Sequence, residues 1–274
     1  MTIRQQAFAG KPLDIPVIDA HTHMGRFYGK GYYQNPEFVE LEHYVSMQDK
    51  LGINCCVTAP HPLLDSMTEL CNRQAAEAAH RFPGRIYGYI SIAPFEGMDV
   101  CRKNLETYGK DPAFVGLKFL GGYNGDYTEA EYLYALDFAN EAGCPVLCHT
   151  WRDKPSLAYL AKVTEQRPGL TLLLAHQGGG NADTTRQAAP YVRSISNLYM
   201  ELCGSLYSTL SFADIEELVG EDKMIFGTDA INLDYRFDFG KLAFSPLPDT
   251  AKEKIFAKNF LKILSRSQLG KITL

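Results

Sequence analysis

Residues 17–23 read Val17-Ile18-Asp19-Ala20-His21-Thr22-His23, an apolar start running into a polar end. A strand alternates its side chains between two faces, so Asp19, His21 and His23 are expected on one face and Ala20 and Thr22 on the other. Runs of the same build recur at 54–60, 86–94, 114–120, 145–151, 170–179, 198–205 and 224–231. Each is short, apolar and bounded by Gly, Pro or Asn, as parallel strands covered on both faces should be. Amphipathic stretches lie between them. Residues 36–52 carry Phe38, Val39, Leu41, Val45, Met47 and Leu51 near helical spacing. Residues 127–143 run from a candidate N-cap, Thr128, to a candidate C-cap, Gly143, with Pro145 just beyond. Residues 210–221 and 249–265 read similarly. Seven steps separate His21 from Asp229, roughly 30 residues each, the size of a strand–helix unit. Eight such units describe an α/β fold of the (β/α)8 barrel type, with a doubly wound open sheet as the competing arrangement. No linker-like or low-complexity segment divides the chain, so residues 1–274 read as one domain.

Composition narrows the function classes. Lys and Arg number 27 against 32 Asp and Glu, a net charge of −5 without a basic tract, which argues against a nucleic-acid partner. No apolar run approaches the roughly 18 residues of a membrane span, and the first residues lack a signal-like apolar segment. The seven cysteines, among them Cys148 and Cys203, form no CxxC pair and are odd in number. They read as small buried hydrophobes of a reducing compartment, so a cytoplasmic location is expected.

The polar residues at the ends of the runs carry the chemistry. In a barrel, functional groups sit at the C-terminal ends of the strands. The first run ends with His21 and His23, the fifth with His149, the sixth with His176 and the eighth with Asp229. A single strand-end His is usually a hydrogen-bonded structural residue. Four imidazoles and a carboxylate spaced by whole strand–helix units form instead the donor set of a divalent metal such as Zn²⁺.

With those motifs in view, the chain resembles the amidohydrolase superfamily of metal-dependent (β/α)8 barrels, and most closely its amidohydrolase 2 branch. The matching segments are Asp19-Ala20-His21-Thr22-His23, Leu147-Cys148-His149-Thr150, Ala175-His176-Gln177-Gly178-Gly179 and Gly227-Thr228-Asp229. The resemblance implies that His21, His23, His149 and Asp229 bind the catalytic metal. It implies that Asp229 accepts the proton of the metal-bound water, and that His176 is a second-site ligand or polarises the substrate oxygen. Lys118, at the end of the fourth run, matches a lysine that binuclear members carboxylate to bridge two metals. One Zn²⁺ is therefore expected, or two if Lys118 is carboxylated; an unmodified lysine is a cation and cannot ligate.

Two long segments on the expected catalytic face, 24–33 and 232–239, are read as loops that shape the pocket. Trp151 shares the inward parity of His149, and Cys148 has the opposite parity. Arg26, Lys30, Lys118, Arg152 and Arg236 are all placed near the pocket mouth, which favours a small substrate bearing a carboxylate. Trp151, Arg26, Arg152 and Arg236 are accordingly the candidate substrate-binding residues. His61 follows the second run on the same face and is a further contact candidate. His176-Gln177-Gly178-Gly179-Gly180 lacks the GxSxG partner of a serine hydrolase, so its glycines are read as a tight turn beside the metal.

The expected activity is hydrolysis of a small cyclic amide, lactone or similar carbonyl substrate by a metal-activated water. The first alternative is non-oxidative decarboxylation of an aromatic or unsaturated acid, with Asp229 protonating carbon. The second is a non-catalytic barrel that binds metal or ligand. The resemblance implies a small-molecule partner, and a homodimer is compatible with it.

Overall fold

Strand-forming residues buried on both faces build the eight expected strands: β1 Ile18–Thr22, β2 Cys55–Thr58, β3 Ile86–Ile92, β4 Phe114–Phe119, β5 Pro145–Cys148, β6 Thr171–Leu174, β7 Leu198–Glu201 and β8 Met224–Ile225. The computed structural model describes residues 1–25, 40–151, 157–204 and 211–274. All pairings are parallel and the strand order is sequential from β1 to β8. β8 returns to β1: Phe226 O accepts from Ala20 N at 3.1 Å, and Asp229 N donates to His21 O at 2.8 Å. A parallel bridge joins Thr22 to Ala230. These contacts close the (β/α)8 barrel and exclude the open sheet.

Every strand is shorter than its apolar run, and β8 has only two residues. His149, His176 and Asp229 therefore lie just past the strand ends, on the connecting segments. The helices follow their stop signals more closely. One spans Ala130–Ala142 and ends at Gly143 with φ 66°, where a left-handed backbone suits glycine. Its N-cap is Glu129, one residue beyond the expected Thr128. Ser211 caps the helix Phe212–Val219 in a reciprocal box with Asp214. Residues 232–239 are only partly a loop, because a helix runs from Tyr235 to Ala243 with Asp234 as its cap. The stretch 24–33 lies outside the described residues from 26 onward.

Two apolar clusters reflect the two faces of the strands. One gathers Val57, Tyr89, Val115, Leu147, Leu173 and Ile225, drawn from six different strands, as a barrel interior must be. The larger one lies between strands and helices and includes Cys148, in keeping with its parity. All seven cysteines are buried and free. No helix among the described residues is long and apolar enough to cross a membrane.

Candidate metal centre

β1 does not run straight into the site. Asp19 pairs with Cys56 and Thr22 with Thr58, so β1 uses one residue more than β2 over the same stretch. This bulge breaks the strict alternation expected of residues 17–23 and re-aims the strand end. Asp19 consequently stands apart from the histidines. Its carboxylate accepts from His21 N (3.2 Å), Thr228 N (3.0 Å) and the Thr228 hydroxyl (2.5 Å), tying β1 to the segment after β8.

His21 and His23 are both buried, with ring centroids 5.2 Å apart. His23 Nδ1 lies 2.6 Å from the carbonyl oxygen of Ala59. A carbonyl only accepts, so Nδ1 carries a proton, and in the neutral ring Nε2 is the lone pair. Nε2 faces Asp229 Oδ1 at 3.2 Å. Two acceptors at this separation call for a proton or a cation between them. His21 Nε2 lies 3.9 Å from the same oxygen, and the ligand atoms of His21, His23 and Asp229 all fall within 4.8 Å of one another.

Asp229 itself sits at φ 56°, uncommon for a residue with a side chain. Its Oδ1 accepts from Asn232 Nδ2 at 3.0 Å, and Asn232 Oδ1 accepts from His61 Nε2 at 2.8 Å. His61 stacks on His23 with centroids 5.5 Å apart, which places this candidate at the edge of the centre.

His149 and His176 form a second pair. His176 Nε2 is 2.9 Å from His149 Nδ1, and His149 Nε2 is buried without a hydrogen-bond partner among the described residues. His176 through Gly180 all adopt positive φ, so the backbone turns sharply at the end of β6, as the glycines suggested. Trp151 lies against the pair, its ring centroid 5.6 Å from that of His176 and 6.4 Å from that of His149.

Three groups complete the floor, and two of them were not foreseen. Lys118 is fully buried with Nζ 2.8 Å from His21 Nε2. Glu201, at the end of β7, holds Oε2 at 2.8 Å from His21 Nδ1. Cys203 Sγ touches Glu201 Oε2 (3.0 Å), His21 Nδ1 (3.1 Å) and His176 Nδ1 (3.1 Å). A carboxylate inside the otherwise apolar run 198–203 was the available signal for Glu201. Asn232 gave none, since a loop asparagine is ordinary.

Burial, then the Lys118 ammonium, holds the His21 imidazolium well below its ordinary range. Burial and neighbouring charges do the same to His149 and His176. Burial pushes the Asp229 carboxyl up, but the imidazoles of His23, His21 and His176 more than offset it and hold it well below the usual range. Burial lifts Glu201 to about 7. Neutral imidazoles beside an ionised carboxylate are the forms that ligate a metal.

Of the five cations expected near the mouth, Arg236 and Lys118 lie among the described residues. Arg236 pairs with Asp234 and is 70% exposed, because the helix cap two residues earlier captures its guanidinium. Lys118 lies in the floor rather than at the mouth. Arg26, Lys30 and Arg152 lie outside the described residues.

A parallel barrel with imidazoles and a carboxylate converging past its strand ends defines a class of metal-binding (β/α)8 proteins. The amidohydrolase family model of the amidohydrolase 2 type matches residues 18–266, and the chain belongs to that family. Comparison with curated proteins finds no match. Among solved structures, the chain is similar to a dihydroxybenzoic acid decarboxylase from Polaromonas sp. JS666 with bound manganese and the inhibitor 2-nitroresorcinol. The TM-score is 0.72 at 15% identity, covering 92% of this chain and 97% of the other. It is similar to a 5-carboxyvanillate decarboxylase from Novosphingobium aromaticivorans complexed with manganese and 4-hydroxy-3-methoxy-5-nitrobenzoic acid (TM-score 0.72, 15% identity, 92% and 96% covered). An uncharacterized TIM-barrel protein from Bordetella bronchiseptica is a third (TM-score 0.68, 18% identity, 92% and 99% covered). Likeness at these identities establishes the fold.

Proposed function

We propose that the chain is a metal-dependent decarboxylase of hydroxylated aromatic acids. The observation that carries the reading is the convergence of His23 Nε2 and Asp229 Oδ1, 3.2 Å apart, with His21 beside them. The donors fit a divalent ion: the ligand atoms of His21, His23 and Asp229 converge, while His149, whose buried Nε2 has no hydrogen-bond partner among the described residues, stands outside that group. Manganese replaces zinc as the expected ion, since the two named decarboxylase neighbours carry it and it suits the oxygen donors of a hydroxy acid. When bound, such an ion supplies positive charge that neutralises a substrate carboxylate and steadies negative charge on the ring.

The chain's own groups manage the proton. In decarboxylation the ring–carboxylate bond breaks, its electron pair stays on the ring, CO₂ leaves, and one proton must reach that carbon. Asp229 is ionised, so it acts first as a base. It takes the proton of a ring hydroxyl, then delivers it to the carbon that loses CO₂, and solvent restores the hydroxyl. Trp151 provides an aromatic face beside His149 and His176 against which a planar substrate can stack. Lys118 must release His21 Nε2 for the ion to bind there, which frees its ammonium for a carboxylate.

Hydrolysis is the second reading, and Lys118 favours it. Carboxylation of a buried lysine at this position would turn a competing cation into a ligand. The two separate on a panel of hydroxybenzoic acids and lactones assayed for CO₂ release and ring opening. Manganese-loaded protein is expected to release CO₂, and chelated protein and Asp229→Asn to lose at least about a hundredfold. Lactone opening without CO₂ would overturn the proposal. Tight ligand binding with no turnover would leave the non-catalytic binder.

A further inference from the structure

We propose that Glu201 is the positioning residue that fixes His21 in its Nδ1–H tautomer, so that Nε2 is the lone pair offered to the metal. The inference rests on the metal-binding part of the reading above and not on decarboxylation. Two observations from opposite sides of the ring agree on the tautomer. The Lys118 ammonium has only donors, and it meets His21 Nε2 at 2.8 Å, so Nε2 is an acceptor. On the other side Glu201 Oε2 lies 2.8 Å from Nδ1 and can take its proton in a hydrogen bond.

The carboxylate is itself locked. Oε1 accepts from Cys203 N at 2.7 Å, and Oε2 accepts from the Cys203 thiol at 3.0 Å. The chain also makes room for it. A Cβ at Gly227 would collide with Glu201 Oε1 and come within 2.8 Å of His21 Cβ. A fully buried carboxylate is costly unless it is paired, and here its partners are a histidine of the candidate centre and the backbone that aims it. Carboxylate partners of this kind orient a ligating imidazole and raise its basicity.

The same corner has another conceivable occupant, an ion held by His21 Nδ1, His176 Nδ1 and Cys203 Sγ. The Cys203 contacts of 3.1 Å to both nitrogens are hydrogen-bond lengths. Tetrahedral bonds of about 2.3 Å to sulfur and 2.0–2.1 Å to nitrogen would instead hold those atoms roughly 3.6 Å apart. The geometry is that of a hydrogen-bonded support.

The test is titration of Mn²⁺ into substrate-free protein, followed by the signal of free Mn²⁺. Glu201→Gln keeps the shape but turns an amide NH₂ toward a donor, so His21 or Cys203 loses its acceptor. Metal affinity is expected to fall about 10- to 100-fold, with Glu201→Asp recovering part of it. Unaltered affinity in Glu201→Gln would overturn the proposal. A stoichiometry that drops by one in Cys203→Ser would also overturn it, by placing an ion on the Nδ1 side. If Glu201→Gln does not fold, ¹⁵N-histidine spectra of the wild-type apo-protein decide. A protonated Nδ1 and bare Nε2 at His21 support the role, and the reverse tautomer refutes it. None of these readouts depends on which reaction the enzyme catalyses.

Discussion

At the scale of single residues, the centre depends on partners for its buried polar groups. Asp19 illustrates this, since its carboxylate serves Thr228 and the backbone rather than a metal. Thr228→Val removes the hydroxyl donor and leaves that oxygen short of a partner in a buried place. Urea unfolding should show a loss of about 1–3 kcal/mol, with metal stoichiometry unchanged. A change under about 0.5 kcal/mol, small against that range, would mean that the Asp19–Thr228 link supports nothing. Residue type made His21, His23, His149, His176 and Asp229 legible, because imidazoles and a carboxylate at the ends of apolar runs have few other uses. Glu201 left only its place in an apolar run and Asn232 left no signal, because their meaning lies in partners 180 and 171 residues away. The pairing of Arg236 with Asp234 was not legible, because charge type says nothing about which carboxylate is nearer.

At the scale of elements, alternating and helical periods gave the eight strands and their order of connection. What periodicity could not register was the extra residue in β1. A bulge leaves no mark in composition, yet it decides that Asp19 parts company with His21 and His23. β8 shows the opposite failing: an eight-residue apolar run supplies only two strand residues, and the remainder bends to carry Asp229. That bend requires Gly227 to be small. Gly227→Ala should cost about 1–3 kcal/mol by overpacking against Glu201 and His21. It should also weaken Mn²⁺ binding, because the two displaced side chains are the ligand and its support. Chemical denaturation and metal titration of the same variant check both, and a variant that binds Mn²⁺ normally would show that the close approach is incidental.

At the scale of the whole molecule, the barrel gathers residues from opposite ends of the chain into one place: β1 supplies His21, the residue just past it is His23, and the segment after β8 supplies Asp229. Closure through the β1–β8 hydrogen bonds is therefore a condition of the site and not only of the fold. The same barrel serves water attack and carbon–carbon cleavage, so the architecture alone does not choose between them. The choice lies in where atoms of solvent end up. The direct measurement is turnover of a hydroxybenzoic acid and, in parallel, of a hydroxyaryl lactone in D₂O and, separately, in ¹⁸O-labelled water, with the organic product analysed by mass and NMR. Decarboxylation at this centre predicts one deuterium on the carbon that has lost CO₂ and no ¹⁸O retained in the ring product. An organic product that keeps all its carbon and gains ¹⁸O, formed only when metal is bound, would contradict the account.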